Sequence, residues 1–330
     1  MQDSLRSLAF FWTSFLLALV IYGILSSEKR IETFLGVMTW TMAVVSIGAM
    51  IQRILGIEQD ILLTDMNLNQ GMPGRAYSTL GNPNNLAEFL MLFIPFAYVW
   101  ATTRKKDLTK LLGLFLVGVG VLALILTYSR SGWLAFAIAA TIFTILYKRQ
   151  IFPALIVLIL CCIPLLPQTV LNRIMTIGNL KDTSSSYRVN IWSSVLRMLK
   201  GRWIQGVGLG TGSFRAIYPS YSVGMTGAAP HSHMQFLEVL IEMGILGLLS
   251  LLWYSLSLIR RATAQTLRTA PGVLRGTLCA AVASITGITT IGFAEYTWFY
   301  PRVQLAFFII AGVAMAAIKL AQQKNTDRSV

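Results

Sequence analysis

The chain has 330 residues, of which 55% are hydrophobic and only 12% are charged, and its formal net charge is +14. A soluble domain of this length could not bury so much apolar surface, so the composition excludes a soluble enzyme, a secreted disulfide scaffold and a disordered protein. Because a membrane span takes about 20 apolar residues, the composition predicts an all-α polytopic membrane protein with about nine transmembrane helices.

Nine long apolar runs mark the predicted spans. They cover residues 8–25, 33–51, 86–101, 110–127, 132–147, 151–166, 235–258, 272–291 and 302–319. The first run is longer than the apolar part of a signal peptide, and no small-residue cleavage site follows it, so we interpret it as a membrane anchor. No period of 20–50 residues repeats, and we expect a single membrane domain over residues 1–330 with one large external loop at 167–232.

The distribution of Lys and Arg predicts the orientation, because these residues concentrate in cytoplasmic loops. Fourteen of the 27 lie in one set of alternate loops and the C-terminal tail, and only five lie in the opposite short loops and at the N-terminus. The N-terminus and the 167–232 loop are therefore predicted outside and the C-terminus in the cytoplasm. This bias accounts for most of the net charge, so nucleic acid is not an expected partner.

Two short polar segments lie on the predicted outer side before the large loop. In GMPGRAYSTLGNPNNLAE, at residues 71–88, dense turn chemistry leads into a span, and we expect Asn84 or Asn85 to cap that helix. Arg75 would then lie beside a helix N-terminus as an anion ligand. Arg130 lies in the short turn TYSRSG, where an arginine must face a polar cavity or a partner unless it snorkels to the interface.

The 167–232 loop contains a predicted amphipathic helix that would lie on the membrane. Its apolar face is Val189, Trp192, Leu196 and Leu199, while Arg188, Arg197 and Lys200 lie near its polar side. The following segment, GVGLGTG, lacks the Lys-Ser/Thr pair of a phosphate-binding loop and the last glycine of a dinucleotide fingerprint. It is therefore predicted to be a tight turn that leads to Arg215, with no nucleotide cofactor.

The segment PHSH at the mouth of the seventh span contains the only two histidines, His231 and His233. Histidine is the usual proton-transfer group, although a helix cap would also explain the pair. A third metal ligand is not evident, so no metal is expected. Glu242, inside the span, is a functional candidate because carboxylates within membranes are rare, and Glu295 near the last external turn is another.

The predicted outer face therefore carries a cluster of arginines and a histidine pair. Arginines recognise phosphate through bidentate, charge-assisted hydrogen bonds. No ATP-binding motif is present, so the anionic substrate with the best fit to this face is a lipid-linked diphosphate.

Four motifs in order carry a family resemblance. They are GNPNNLAEFL, YSRSGWLA, YRVNIWSSVLRML followed by GVGLGTGSF, and HSHMQFLEVLIEMGILGLL. Together they resemble the O-antigen ligase/O-antigen polymerase (Wzy-C) family of bacterial inner-membrane proteins over a core at about 70–260. The resemblance implies a GT-C-like membrane fold and glycan transfer on the periplasmic face, without metal or nucleotide.

The family motif has a histidine followed eleven residues later by glycine, which His233 and Gly244 match. Met234 departs from the polar residue that commonly follows this histidine. Arg188 matches the family's loop arginine, and the match of Arg215 is less close. The resemblance implies catalytic roles for His233, Arg188 and Arg215. The residues expected to bind substrate are Arg75, Arg130, His231 and Glu242.

The implied reaction moves a glycan from an undecaprenyl-diphosphate-linked donor to an acceptor hydroxyl in contact with membrane lipid. We expect an O-antigen ligase, whose acceptor is lipid A core. The alternatives are a polymerase that uses another glycan repeat unit, transfer to a protein hydroxyl, and, from a different class, a solute transporter. Only two spans precede the GNPNN segment, where the family usually has more, which indicates a short member or a chain without its start.

Overall fold

Helices form all the regular secondary structure of a computed structural model that describes residues 2–57, 74–178 and 183–327. In chain order they are α1 (Gln2–Ile24), α2 (Glu28–Leu55), α3 (Pro83–Thr102), α4 (Asp107–Leu126), α5 (Arg130–Lys148), α6 (Phe152–Cys162), α7 (Gln168–Met175), α8 (Thr183–Leu199), α9 (Thr211–Ile217), α10 (Gln235–Arg268), α11 (Val273–Ile291) and α12 (Pro301–Thr326). Within the described residues, eight helical segments are long and apolar enough to cross a membrane. They are α1–α4, α10–α12 and the segment Arg130–Ala154, which contains α5. The predicted all-α polytopic membrane fold is confirmed.

The predicted span at 151–166 has a different form. It contains α6, of 11 residues, and a 3-10 turn at Ile163–Leu165. A helix of 11 residues is roughly 16 Å long, about half the thickness of the hydrocarbon core. Pro164 has no N–H to continue the helical ladder, and its ring crowds the preceding turn, so the α-helix gives way to a 3-10 turn there.

The core of the bundle is built around α3 and α11, which are buried along most of their length. Both pack against α5, while α3 also contacts α2 and α4, and α11 contacts α10 and α12. In contrast, α1 and α4 keep large apolar side chains exposed, as expected for surfaces that face lipid.

One end of the bundle, hereafter the site end, collects residues 74–83, 127–130, 163–178, 183–234 and 292–300. Two close contacts assemble it. Gly132 in the first turn of α5 lies so near α3 that a Cβ there would be 2.6 Å from the Cβ of Ala87. The backbone N–H of Gln235 donates to the carbonyls of Gly292 and Glu295, at 2.8 and 3.0 Å, and so joins α10 to the turn between α11 and α12.

The cap of α3 differs from the prediction. Asn82, rather than Asn84 or Asn85, is the N-cap, and its side chain accepts the N–H of Asn84 at 2.8 Å. Pro83 occupies the first helical position, where its missing N–H leaves no bond unmade. The side chain of Asn84 is therefore available for contacts with other elements.

The apolar face predicted for α8 is only partly correct. Ile191, Val195 and Met198 are fully buried against α9 and α10, whereas Val189 and Leu196 are exposed. Arg188 lies three and seven residues before Ile191 and Val195, on the same side of the helix, so it points inward. Its predicted place on the polar side is wrong, and this correction brings it into the site.

A break at Gly244 interrupts α10 inside the bundle. The backbone there has φ +70°, and a Cβ would be 2.0 Å from the carbonyl oxygen of Ile204. The segment before α9 satisfies the freed backbone groups, because Val207 N–H donates to Ile241 at 2.7 Å and Ile245 N–H donates to Trp203 at 2.9 Å. Irregular backbone at membrane depth is stable only when such partners exist.

Candidate functional site

The carboxylate of Glu295 is the centre of the polar cluster at the site end. It is buried, with 6% of its surface exposed. Its Oε1 accepts hydrogen bonds from Arg188 Nη2 at 2.6 Å, from Asn84 Nδ2 at 2.7 Å and, at 3.5 Å, from the Ser131 hydroxyl. Three helices, α3, α5 and α8, thus supply donors to one carboxylate from the turn between α11 and α12.

Neighbouring side chains keep the Glu295 carboxyl ionised. Burial alone would raise the pKa of this carboxyl, but Arg188, together with His233, outweighs burial and lowers the pKa to about 2. Glu295 is therefore ionised at physiological pH, and its pair with Arg188 is a buried ion pair with good hydrogen-bond geometry.

Arg75 joins this cluster through Asn84. Its Nη2 donates to Asn84 Oδ1 at 2.7 Å, and its Nε donates to the carbonyl of Thr127 at 2.8 Å. Burial lowers the pKa of Arg75 to about 10, with attraction from Glu295 opposed by repulsion from Arg188 and Arg130. The guanidinium still carries its charge at neutral pH.

Arg130 lies at the first residue of α5 and turns toward the end of α7. Its Nη1 donates to the carbonyl and the hydroxyl of Thr176, at 3.0 and 3.1 Å. It lies close enough to repel Arg75 electrostatically. Arg75 and Arg188, predicted from separate segments, therefore both interact with Glu295, and Arg130 is a neighbour of Arg75.

The two histidines lie in the extended segment before α10 and have different environments. His233 adopts a left-handed backbone with φ +53°, which is strained for a residue with a side chain. Its Nδ1 is buried without a hydrogen-bond partner in the described residues and lies 3.9 Å from Glu295 Oε2. A shift of about 1 Å would bring these two atoms within hydrogen-bond distance.

His231 is buried, with 4% of its surface exposed, and packs its ring 4.4 Å from that of Phe299. Its Nδ1 accepts the backbone N–H of His233 at 3.1 Å. Burial, with repulsion from His233, lowers the pKa of His231 well below its usual value. His231 is therefore a neutral acceptor that holds the backbone of His233 in place.

Arg215 lies apart from the arginines around Glu295. It is exposed on α9 and, within the described residues, makes no hydrogen bond or ion pair. Its charge nevertheless reaches the histidine pair, because repulsion by Arg215 contributes to the lowered pKa of His231. The glycine-rich segment before it is tightly turned, as predicted: Gly206, Gly208 and Gly210 all have positive φ.

Glu238 and Glu242 are buried one turn apart on α10, and each is hydrogen-bonded by a loop backbone. Glu238 accepts the N–H of Ser232 at 2.5 Å, between the two histidines, and Glu242 accepts the N–H of Gly210 at 3.0 Å. In the part of the chain that the structure describes, neither carboxylate pairs with a cation. Glu242 thus connects α10 to the glycine-rich segment.

Sequence reasoning named Glu295 as a functional candidate, but it did not identify Asn84 and Ser131 as its partners. Asn84 precedes Glu295 by 211 residues, and no local sequence pattern predicts a contact between such distant residues. The only available signal was an acidic residue in a predicted external turn opposite several arginines.

A family model described as O-antigen ligase matches residues 111–252. The matched segment includes Arg130, Arg188, Arg215 and both histidines, and it ends inside α10. Arg75 and Glu295 lie outside it, so the polar cluster combines residues within and beyond the matched region. A comparison with curated proteins finds no match.

Proposed function

We propose that this chain, which carries a domain of the O-antigen ligase family at residues 111–252, transfers a glycan from undecaprenyl diphosphate to an acceptor hydroxyl. It is a multi-pass membrane protein of polysaccharide biosynthesis, and we assign the family's core to residues 70–260. One observation carries the proposal. Arg188 and Arg75 interact with a single carboxylate at one end of the bundle, with Arg130 next to Arg75, beside a histidine whose Nδ1 faces that carboxylate.

The excess of positive charge supports binding of a diphosphate. Arg75, Arg130 and Arg188 carry three charges against the single negative charge of Glu295, so an anion in this cluster is attracted. Arg188 uses Nη1 for Ser184 and Nη2 for Glu295, and a guanidinium has five N–H donors. Its remaining donors can bind phosphate oxygens while Glu295 fixes its direction.

The chemistry we propose is an inverting displacement. The acceptor oxygen forms a bond to the anomeric carbon of the donor sugar, and the bond from that carbon to the diphosphate oxygen breaks. The hydroxyl proton goes to Nε2 of His233, while Nδ1 remains directed at Glu295. Undecaprenyl diphosphate leaves with its charge stabilised by Arg188 and the neighbouring arginines.

Several members of the site have supporting roles in this proposal. His231 holds the His233 backbone, and Glu242 holds the glycine-rich segment. Arg215, whose charge reaches His231, would contact the glycan rather than the diphosphate. We propose no metal or cofactor, since the arginines supply the positive charge that the leaving group needs.

The acceptor we favour is lipid A core, which makes the protein an O-antigen ligase; a repeat-unit acceptor would make it a polymerase with the same chemistry. A transporter would hold its substrate near the middle of the bilayer. The arginines and histidines here lie at the start of α5 or in the segments that join the long helices, before α3 and between α5 and α10. We propose that this end faces the periplasm, with the N-terminus outside and the C-terminus in the cytoplasm, because Lys and Arg concentrate in the opposite loops.

The test is transfer by Arg188→Ala, Arg188→Lys and, as a control on the same helix, Arg197→Ala. Arg197 is exposed and donates to the carbonyl of Tyr221, away from Glu295. A charged hydrogen bond contributes about 1.5–3 kcal/mol, so Arg188→Ala should reduce transfer roughly 10–100-fold. Lysine should restore only part of it, because it lacks the bidentate fork. Full transfer by Arg188→Ala at normal protein levels would contradict the proposal.

A further inference from the structure

A cavity of about 350 Å³ lies at the site end, outside the cluster around Glu295. Its walls come from the first turns of α1, the end of the glycine-rich segment, α10, the turn before α12 and α12 itself. None of Arg188, His233 and Glu295 lines it. It falls in the size range of small-molecule sites, about 300–1,000 Å³.

The lining combines flat apolar rings with hydrogen-bonding groups. The rings belong to Phe10, Phe11, Tyr296, Trp298 and Phe299. The polar side chains belong to Arg6, Ser7, Thr211, Glu242 and Gln304. A sugar has the same two kinds of surface, because its C–H faces stack on aromatic rings and its hydroxyls both donate and accept hydrogen bonds.

Other occupants fit this lining less well. A polyprenyl chain would place apolar surface against the charged guanidinium of Arg6. A diphosphate would meet a single arginine, Arg6, among the residues that line the cavity. The cavity is thus suited to an uncharged, hydroxyl-rich ring.

The histidine pair lies between this cavity and the arginine cluster. The His231 ring is 4.4 Å from Phe299 and 5.7 Å from Tyr296, both of which line the cavity, and 4.2 Å from His233. His233 in turn faces Glu295. The rings of Phe299 and Tyr296 therefore lie between the cavity that they line and His231.

We infer that this cavity is a carbohydrate subsite for the acceptor glycan, which holds a sugar next to the one that reacts. The inference rests on the proposed transfer reaction. In an inverting displacement the attacking hydroxyl and the leaving diphosphate are on opposite sides of the anomeric carbon. With the diphosphate on the arginines, the acceptor approaches from the side of the histidines and of this cavity.

Two cavity variants and one matched control test the subsite. Arg6→Gln and Phe10→Leu change the lining, while Trp12→Leu, on the same helix, alters an aromatic residue that is 59% exposed and does not line the cavity. The assay uses undecaprenyl-diphosphate-linked glycan as donor and lipid A core, or a repeat-unit oligosaccharide, as acceptor. KM for the acceptor should rise roughly 3–10-fold for Phe10→Leu and about 10-fold for Arg6→Gln. The kcat, the KM for the donor and the control should stay within about twofold.

Direct binding separates this inference from the proposed reaction. Core oligosaccharide freed from its lipid should bind wild-type protein in calorimetry, and added undecaprenyl diphosphate should not displace it. An unchanged acceptor KM in both variants, or displacement by undecaprenyl diphosphate, would reject the subsite while transfer by the wild type still stood. A wild type that transfers to neither acceptor would instead reject the proposed reaction, and oligosaccharide binding would then be judged by calorimetry alone.

Discussion

Glu295 and Glu242 are both buried carboxylates at the site end, yet their surroundings differ in kind. Glu295 is bound by charged and amide side chains from separate helices, whereas Glu242 is bound by the backbone N–H of Gly210 beside a second carboxylate, Glu238. Because Glu295 is ionised and binds a cation, it affects the charge of the site. Glu242 accepts a backbone N–H, so it affects the conformation of the glycine-rich segment. The comparison predicts that the charge matters at Glu295 and that only the oxygen acceptor matters at Glu242.

The break in α10, next to Glu242, should be the most sensitive position. Gly244→Ala would place a Cβ 2.0 Å from the carbonyl oxygen of Ile204 at φ +70°. The strain and the clash together should remove at least about 3 kcal/mol of stability, so little folded protein is expected. Gly118→Ala is the control, because a Cβ there meets no atom within 4 Å. The measurement is the monodisperse yield in detergent and its thermal unfolding temperature, and an equal yield for both variants would contradict the prediction.

His233 should give the next largest effect. If its ring accepts the proton of the acceptor hydroxyl, His233→Ala should slow transfer about 10²–10⁴-fold while donor binding survives. His231→Ala should lose less, since it removes only the acceptor for the His233 N–H. Transfer and donor binding are measured at matched expression. Full activity in His233→Ala with a loss in His231→Ala would move the proton acceptor to His231.

The sequence allowed much of this site to be predicted, for an identifiable reason. Apolar runs mark helices, and Arg130, Arg188 and His233 are conspicuous because charged and titratable residues are rare in such a chain. Contacts between distant segments were not predictable in the same way. The inward direction of Arg188 depends on which of two apolar faces of α8 the rest of the bundle covers. The hydrogen bonds that Glu295 accepts come from side chains on α3, α5 and α8, which are distant from it in sequence.

Glu295→Gln should destabilise the protein in a way that depends on pH. With a pKa of about 2 in the fold against a usual 4.5, the carboxyl contributes roughly 3 kcal/mol above pH 4.5, and this is lost as pH falls toward 2. Glutamine keeps the shape but leaves Arg188 buried without its counter-charge.

The measurement is the unfolding temperature of wild type and Glu295→Gln in detergent from pH 6 to pH 3. The wild type should be clearly more stable at pH 6, and the difference should shrink as the pH falls. A difference that stays constant over this range would show that the ion pair with Arg188 does not contribute as the structure indicates.

Glu242→Gln should give the smallest effect. The amide oxygen of glutamine can still accept the N–H of Gly210. We therefore expect transfer within about threefold of wild type and little change in unfolding temperature, since that hydrogen bond is kept. Glu242→Leu is the contrasting variant, because it leaves the Gly210 N–H buried without a partner, which costs about 1–3 kcal/mol. A loss in Glu242→Gln as large as in Glu295→Gln would mean that the charge of Glu242 takes part in the reaction, and the contrast between the two carboxylates would not hold.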